Sequence, residues 1–258
     1  SFDALTFPVS GYGNPDMTPA SAAQINLQQV RDWHQHFFAA DNACLVIVGN
    51  VKAAAVETMA REHFDALPGR TTIPAPKVRE LSEPGERRTT LRLNTEIPRL
   101  MVAFNVPGLI EGATNQSVAT LQILCALVEL NYKRFFRASS AICIFTREKD
   151  AGLFRISLTA SQADQSLDEL ETALLQLIEA CKLDGFPQEE LELAREHAIE
   201  EVMSSASDDE MVAYRLAQLE YSQLPLTLLD QLQDNLLAVS NEDIQRAAST
   251  WLTPERMT

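Results

Sequence analysis

The sequence has few of the residues that normally point to a catalytic or metal-binding site. Its 258 residues include four histidines, four cysteines and nine glycines. No two histidines stand four positions apart, as in a helical zinc motif, and no cysteine has a second cysteine three positions away. There is no G-x-S-x-G nucleophile motif and no glycine-rich loop between a strand and a helix. By its motifs alone, the chain is predicted to contain no catalytic residue and no metal ligand.

Basic residues and long apolar runs are also scarce. Lysine and arginine total 21 against 36 aspartates and glutamates, which gives a formal net charge of −15. A surface of this charge repels phosphate groups, so nucleic acid and anionic membranes are not expected partners. No apolar run approaches the roughly 20 residues of a membrane-spanning helix, and no membrane span is predicted.

His197 is the histidine nearest to a metal-binding pattern, because residues 197–201 read H-x-x-E-E. The inverzincin motif is H-x-x-E-H, with two histidine ligands and a glutamate base. Glu201 takes the place of the second histidine, and one imidazole beside carboxylates makes a weak zinc site. The four cysteines each stand in an apolar segment, which predicts small buried side chains. They are Cys44, Cys125, Cys143 and Cys181.

The chain is organised around a helix-and-strand pattern that occurs twice. Residues 25–38 carry apolar side chains at helical spacing, and a continuous apolar run from Ala43 to Val48 follows. This pattern predicts an amphipathic helix that leads into a strand buried on both faces. A second copy of the helix pattern lies 214 positions later. The matching pairs are Ile25 and Val239, Val30 and Ile244, Phe37 and Trp251, and Phe38 and Leu252.

Two homologous α+β units are therefore expected, of which the first is incomplete. Residues 1–67 form the C-terminal half of the first repeat in this interpretation, and residues 87–258 form the second repeat without its final strand. The segment between them, 68–86, contains four prolines and no periodicity, which is typical of a semi-extended linker.

Strands and helices in the second unit predict an antiparallel sheet covered by helices on one face, which is the α+β class. Alternating or continuous apolar residues predict four strands, over residues 89–93, 100–106, 141–145 and 152–160, with the last two in an antiparallel hairpin. Helical periodicity predicts helices over residues 25–38, 52–67, 115–137, 166–183, 187–204 and 211–221, with further helices opened by Pro225 and Ser240. The helix over 52–67 is expected to bury Val56, Met59, Ala60, His63 and Phe64.

One segment resembles a known family. INLQQVRDWHQHFFAADNACLVIVGNV is similar to ISxxDLxxFHxxxYxxxNAxLxIVGDV of the insulinase/pitrilysin-type zinc peptidases, which include the mitochondrial processing peptidase. SGYGNPDMTPAS resembles their HPYG-type loop, and LMVAFNVPG and DAGLFRISLTA resemble strands of their second repeat. The resemblance implies that the H-x-x-E-H motif and the distal glutamate ligand lie N-terminal to this chain. Zinc is thus expected in an upstream half-repeat or in a partner subunit, and no residue here inherits a ligand role.

The resemblance also implies two substrate-binding residues. The family's second repeat carries an arginine–tyrosine pair in a pattern like GGGxxSRLYxxLRExxGLAY, and this chain reads LVELNYKRFFRASSAICIF there. Arg134 matches the arginine and Phe136 matches the aromatic residue of SRLY. The glycines are absent, and an isoleucine or cysteine stands where the later tyrosine is expected, so substrate handling by this repeat is expected to be weakened.

Two functions follow from the resemblance. The first is a non-catalytic portion of a zinc metalloendopeptidase, which contributes to the substrate chamber opposite the zinc site and is inactive alone. The second is a structural subunit whose full-length gene has no zinc motif and which partners a separate catalytic chain. Either function implies a homo- or heterodimer with a peptidase-family chain and a peptide or unfolded polypeptide as substrate. The expected location is the bacterial periplasm or cytoplasm. The run from Ala43 to Val48 is expected to pair with a strand of the second unit or with another chain.

Overall fold

The computed structural model describes residues 2–9, 13, 18–67, 69, 80–92, 94, 97–108, 115–136, 138–147 and 151–258. In the N-terminal part the helices are α1 (Phe2–Thr6), α2 (Pro19–Ala22), α3 (Leu27–Phe37) and α4 (Ala53–Phe64). The sheet and its first helix are β1 (Arg99–Val106), α5 (Asn115–Phe136), β2 (Ser140–Arg147) and β3 (Gly152–Thr159). The C-terminal helices are α6 (Leu167–Leu183), α7 (Gln188–Ala206), α8 (Asp209–Tyr221), α9 (Leu232–Ala238) and α10 (Asn241–Trp251).

The three strands form an antiparallel sheet in the order β1-β3-β2. Phe154 of β3 lies opposite Phe104 of β1 on one side and Phe145 of β2 on the other. The predicted hairpin of β2 and β3 is therefore confirmed, as is the α+β class; the connecting residues 148–150 lie outside the described residues. The chain's last two residues add to the free side of β1, where the Thr258 N–H donates to the Ala103 carbonyl at 2.9 Å and the Ala103 N–H donates back at 3.0 Å.

The core lies between this sheet and the long helices. Helix α5 is enclosed on most of its circumference, because it packs on β2 and is covered by α6, α7, α9 and α10. Its Leu121, Ile123, Leu124 and Leu127 are fully buried. Burying one such side chain stabilises a fold by about 1.5–3 kcal/mol, so α5 is the main anchor of the described core.

Two predicted helix boundaries have a clear local cause. Helix α6 stops at Gly185, which has a φ of +68° and lies so close to Asn241 that a Cβ there would approach the Asn241 Oδ1 to 2.7 Å. Only glycine fits that left-handed position without strain. Helix α10 starts from Ser240, whose side chain and that of Asp243 form a reciprocal capping box.

The predicted strand from Ala43 to Val48 is wrong. These residues form no ladder, and Leu45 and Ile47 are exposed. The prediction failed because strand formation needs a hydrogen-bonding neighbour, and the described residues provide none there. Cys44, in the same run, is exposed rather than buried. Among the described residues, this run pairs with no strand of the second unit.

The apolar faces of α3 and α4 are also uncovered. Met59, His63 and Phe64, predicted as buried on α4, are exposed, whereas Val56 and Ala60 are half-buried. The helices form as their periodicity predicts, but the described elements leave most of these apolar faces uncovered.

Two smaller predictions also need correction. Residues 89–92 run exposed without a ladder, and residue 93 lies outside the described residues. Pro225 opens a 3-10 turn, Leu226–Leu228, and the α-helix begins only at Leu232. Of the predicted linker, residues 68 and 70–79 lie outside the described residues. No helix in the described part of the chain has the length and apolar character needed to cross a bilayer.

Candidate functional site

A shallow groove of about 350 Å³ runs between the C-terminal half of α5 and the N-terminal half of α7. Helix α7 opens after Pro187, and its acidic first turn suits the positive end of the helix dipole. The groove combines two exposed leucines with three carboxylates and one imidazole, so it offers apolar contact together with hydrogen-bond acceptors. Its lining residues are Leu130, Asn131, Glu190, Leu193, Glu196, His197 and Glu200.

Arg134 stands beside this groove. Its side chain is 60% exposed, and its guanidinium forms an ion pair with the Glu190 carboxylate across the two helices. The same guanidinium lies over the Phe135 ring, 5.1 Å from the ring centroid. The pair is only partly exposed, because the Glu190 side chain is 20% exposed while that of Arg134 faces solvent. The other Glu190 oxygen, Oε2, is buried and has no hydrogen-bond partner among the described residues.

Phe136 lies apart from Arg134, in the core. Its side chain is only 2% exposed. The aromatic residue that accompanies Arg134 is the half-buried Phe135, whose ring packs edge-on against Phe186 at a centroid distance of 6.4 Å. Helical spacing contained a signal for this arrangement, because Phe136 continues the buried face of α5 that includes Val128. Glu190 was missed, since nothing in the sequence pairs it with a residue 56 positions earlier.

His197 is half-buried in the groove with Glu196 and Glu200. Within the described ranges, no group of three or more histidine, cysteine, aspartate or glutamate side chains could hold a metal ion. The groove lining also contains no serine, threonine or cysteine as nucleophile. The groove offers the glutamate carboxylates as hydrogen-bond acceptors, with the Arg134 guanidinium beside it as a donor.

Comparison with known proteins places the chain in a family. A family model described as the peptidase M16 inactive domain matches residues 24–197. No curated protein sequence matches the chain.

Several solved structures share the fold. A protease from Helicobacter pylori superposes with a TM-score of 0.87 at 20% identity, over 100% of this chain and 64% of that one. The peptidase M16 inactive domain from Pseudomonas fluorescens gives a TM-score of 0.79 at 20% identity, over 99% and 62%. The periplasmic protease PqqL from Escherichia coli gives 0.77 at 14% identity, over 99% and 30%.

At these identities the structural matches show the fold only. The chain spans less than two thirds of the length of each of these three proteins. The family model, in contrast, matches a continuous region that holds α3, α4, the whole sheet and α6. On that match, and in agreement with the resemblance in the sequence, the chain belongs to the peptidase M16 inactive-domain family.

Proposed function

We propose that this chain is the non-catalytic portion of an M16-type zinc metalloendopeptidase and contributes to the substrate chamber opposite the zinc site. In this proposal residues 1–67 belong to the first repeat and residues 87–258 to the second, joined by the segment 68–86. The observation that carries the proposal is the position of Arg134, at the end of a concave surface and in an ion pair whose guanidinium side faces solvent.

The groove would hold an extended polypeptide through its backbone. Arg134 carries several N–H donors, and a peptide carbonyl oxygen can replace the Glu190 carboxylate as acceptor. The Glu190 Oε1 atom, once released from Arg134, then accepts a hydrogen bond from a peptide N–H group. Leu130 and Leu193 provide apolar contact for side chains. Because Phe136 is buried, Phe135 takes the aromatic role beside Arg134 in this proposal.

Binding of an unfolded polypeptide tests this role. Fluorescein-labelled casein, titrated with the chain and followed by fluorescence anisotropy, is expected to bind, and Arg134→Ala is expected to weaken binding by about 10-fold or more because a hydrogen bond to a charged group is lost. Arg61→Ala is the matched control, since Arg61 is also exposed and ion-paired, but on α4. No binding by the wild-type chain, or equal losses in both variants, would contradict the proposal.

The second candidate, a structural subunit for a separate catalytic chain, is favoured by one observation. Helix α3 exposes Val30, Trp33 and Phe37 on one face, and Phe38 follows directly. Apolar surface of this kind in a soluble protein commonly marks a contact with another chain. The coding sequence upstream of Ser1 separates the two functions. An H-x-x-E-H motif there supports a non-catalytic portion of an active peptidase, and a gene without the motif supports the structural subunit.

A further inference from the structure

Two of the four cysteines meet in the core. Cys125 on α5 and Cys143 on β2 are both buried, and their Sγ atoms lie 2.7 Å apart. Cys44 is exposed on the N-terminal part of the chain, and Cys181 is buried on α6. The contact joins residues 18 positions apart, and the sequence gives no sign of it.

The backbone around this pair is held in place by a second contact. Glu129 lies one helical turn after Cys125 on the same face of α5, and its Oε1 accepts the backbone N–H of Cys143 at 2.8 Å. Strand β2 lies at the end of the described strand order, so this N–H points away from β3 and donates to the helix. The carboxylate thereby fixes the crossing of α5 and β2 at the point where the two thiols meet. The two Sγ atoms are therefore close because the backbones of α5 and β2 are held together at this point, and not only because of the side-chain rotamers.

We propose that Cys125 and Cys143 form a reversible disulfide that joins α5 to β2. The electron acceptor is a second disulfide, such as oxidised glutathione or an oxidoreductase disulfide. One cysteine thiolate attacks a sulfur of that acceptor, and a mixed disulfide and one acceptor thiolate result. The second cysteine thiolate then attacks the protein sulfur of the mixed disulfide and releases the other acceptor thiolate. Two protein thiols are oxidised, one acceptor disulfide is reduced to two thiols, and the two protons pass from the cysteines to the released thiolates.

Burial determines when this exchange takes place. Burial, together with the hydrogen bond to Cys125, raises the pKa of the Cys143 thiol, so the reactive thiolate is scarce in the packed structure. Exchange therefore proceeds while α5 and β2 are apart, during folding or local opening. Once they pack, the same burial protects the disulfide from reductants. Because α5 also carries Arg134 in its last turn, the bond would hold the candidate binding groove in a fixed position relative to the sheet.

Refolding under defined redox conditions tests the proposal with the full chain. The protein is refolded with oxidised and reduced glutathione or with reductant alone, unfolded in the presence of an alkylating reagent, digested and examined by mass spectrometry. We expect a peptide pair that links Cys125 to Cys143 in the oxidised sample, while Cys181 is alkylated. The oxidised protein should also unfold at a midpoint roughly 5–10 °C higher, because the bond closes a loop in the unfolded chain.

A double variant, Cys44→Ala with Cys181→Ala, leaves only the proposed pair and should lose both free thiols on oxidation. Adding Cys143→Ala to that variant leaves Cys125 without its partner and should abolish the intrachain bond. The wild-type peptide map does not depend on any variant, so it remains decisive if a substitution impairs folding. Alkylation of both Cys125 and Cys143 after oxidative refolding, or links that involve Cys44 or Cys181 in their place, would overturn the proposal.

Discussion

Helices α3 and α10 are two copies of one local structure with opposite burial. Each has 11 residues, and each begins with a capping box, formed by Asn26 and Gln29 in α3 and by Ser240 and Asp243 in α10. Val30 of α3 is nevertheless 49% exposed, whereas Ile244 at the matching position of α10 is fully buried against the core. Local sequence therefore determines that each helix forms and where it begins, and the surrounding elements determine whether its apolar face is buried.

The chain that follows the two helices shows the same contrast. After α10, the Gly85 and Arg87 N–H groups donate to the carbonyls of Glu255 and Met257, while Thr258 pairs with β1. At the matching position after α3, the run from Ala43 to Val48 makes no backbone hydrogen bond to a described residue. The residues that follow the helix thus pair with a strand after α10, where the edge of β1 lies beside them, whereas the described residues provide no such edge beside residues 43–48.

The largest expected effect concerns stability. Ile244→Ala removes a fully buried side chain and should lower the free energy of unfolding by about 2–5 kcal/mol. Val30→Ala, at the matching position, should lower it by about 0.5 kcal/mol or less, since the site is half exposed to water in the described structure. Urea unfolding followed by circular dichroism measures both. Similar losses in the two variants would show that the α3 face is buried in solution, and the contrast between the copies would fail.

A smaller effect is expected on association. The exposed run from Ala43 to Val48 and the uncovered face of α3 should make the chain self-associate as its concentration rises, because unpaired apolar strand segments pair with other chains. Replacing Leu45 and Ile47 by lysine should shift sedimentation towards the monomer. Leu183→Lys is the control, since Leu183 is also an exposed leucine but lies on another element, α6.

One result would contradict this association. If the wild-type protein sediments as a monomer at high concentration while amides 43–48 resist hydrogen exchange, the run has found a partner within its own chain.

The sequence predicted elements well where the pattern and the packing agree. Strand β1, the β2–β3 hairpin and helices α5, α6 and α10 all lie within a few residues of their predicted ranges, because each buries the apolar face that its periodicity shows. The strand predictions failed at residues 43–48 and 89–92, where strand formation depends on a hydrogen-bonding neighbour that the sequence pattern does not reveal.

Contacts between distant residues were harder still to foresee. The ion pair of Arg134 with Glu190 and the meeting of Cys125 with Cys143 join separate elements, and a single sequence contains no spacing that reveals them. The position of Phe136 could have been predicted, since it continues a buried helical face. The choice of Arg134 as the residue beside a concave surface came from family resemblance, and its binding role remains a prediction.

The smallest expected effect is on the pH dependence of the free energy of unfolding. It arises because only one of the two capping boxes contains an ionisable side chain. Asp243 in α10 is ionisable, whereas Gln29 at the matching position of α3 is not. Burial alone would raise the pKa of Asp243, but it accepts hydrogen bonds from the Ser240 N–H at 3.0 Å and the Ser240 hydroxyl at 2.8 Å, with further support from Gln116 and Arg246. The sum of these interactions lowers the pKa below its ordinary value of 3.8.

A carboxyl group whose pKa is lower in the folded state stabilises the fold above its unfolded pKa, and this stabilisation is lost as the pH falls through the folded pKa. The wild-type protein should therefore lose stability relative to Asp243→Asn between about pH 5 and pH 2. Urea unfolding of both proteins across this range measures the difference, and Gln29→Glu provides the reciprocal control by placing an ionisable cap on α3. That control should leave the pH dependence of global unfolding unchanged, because α3 is not packed against the core. A stability difference between wild type and Asp243→Asn that does not vary with pH would show that the Ser240 cap does not depend on the charge of Asp243.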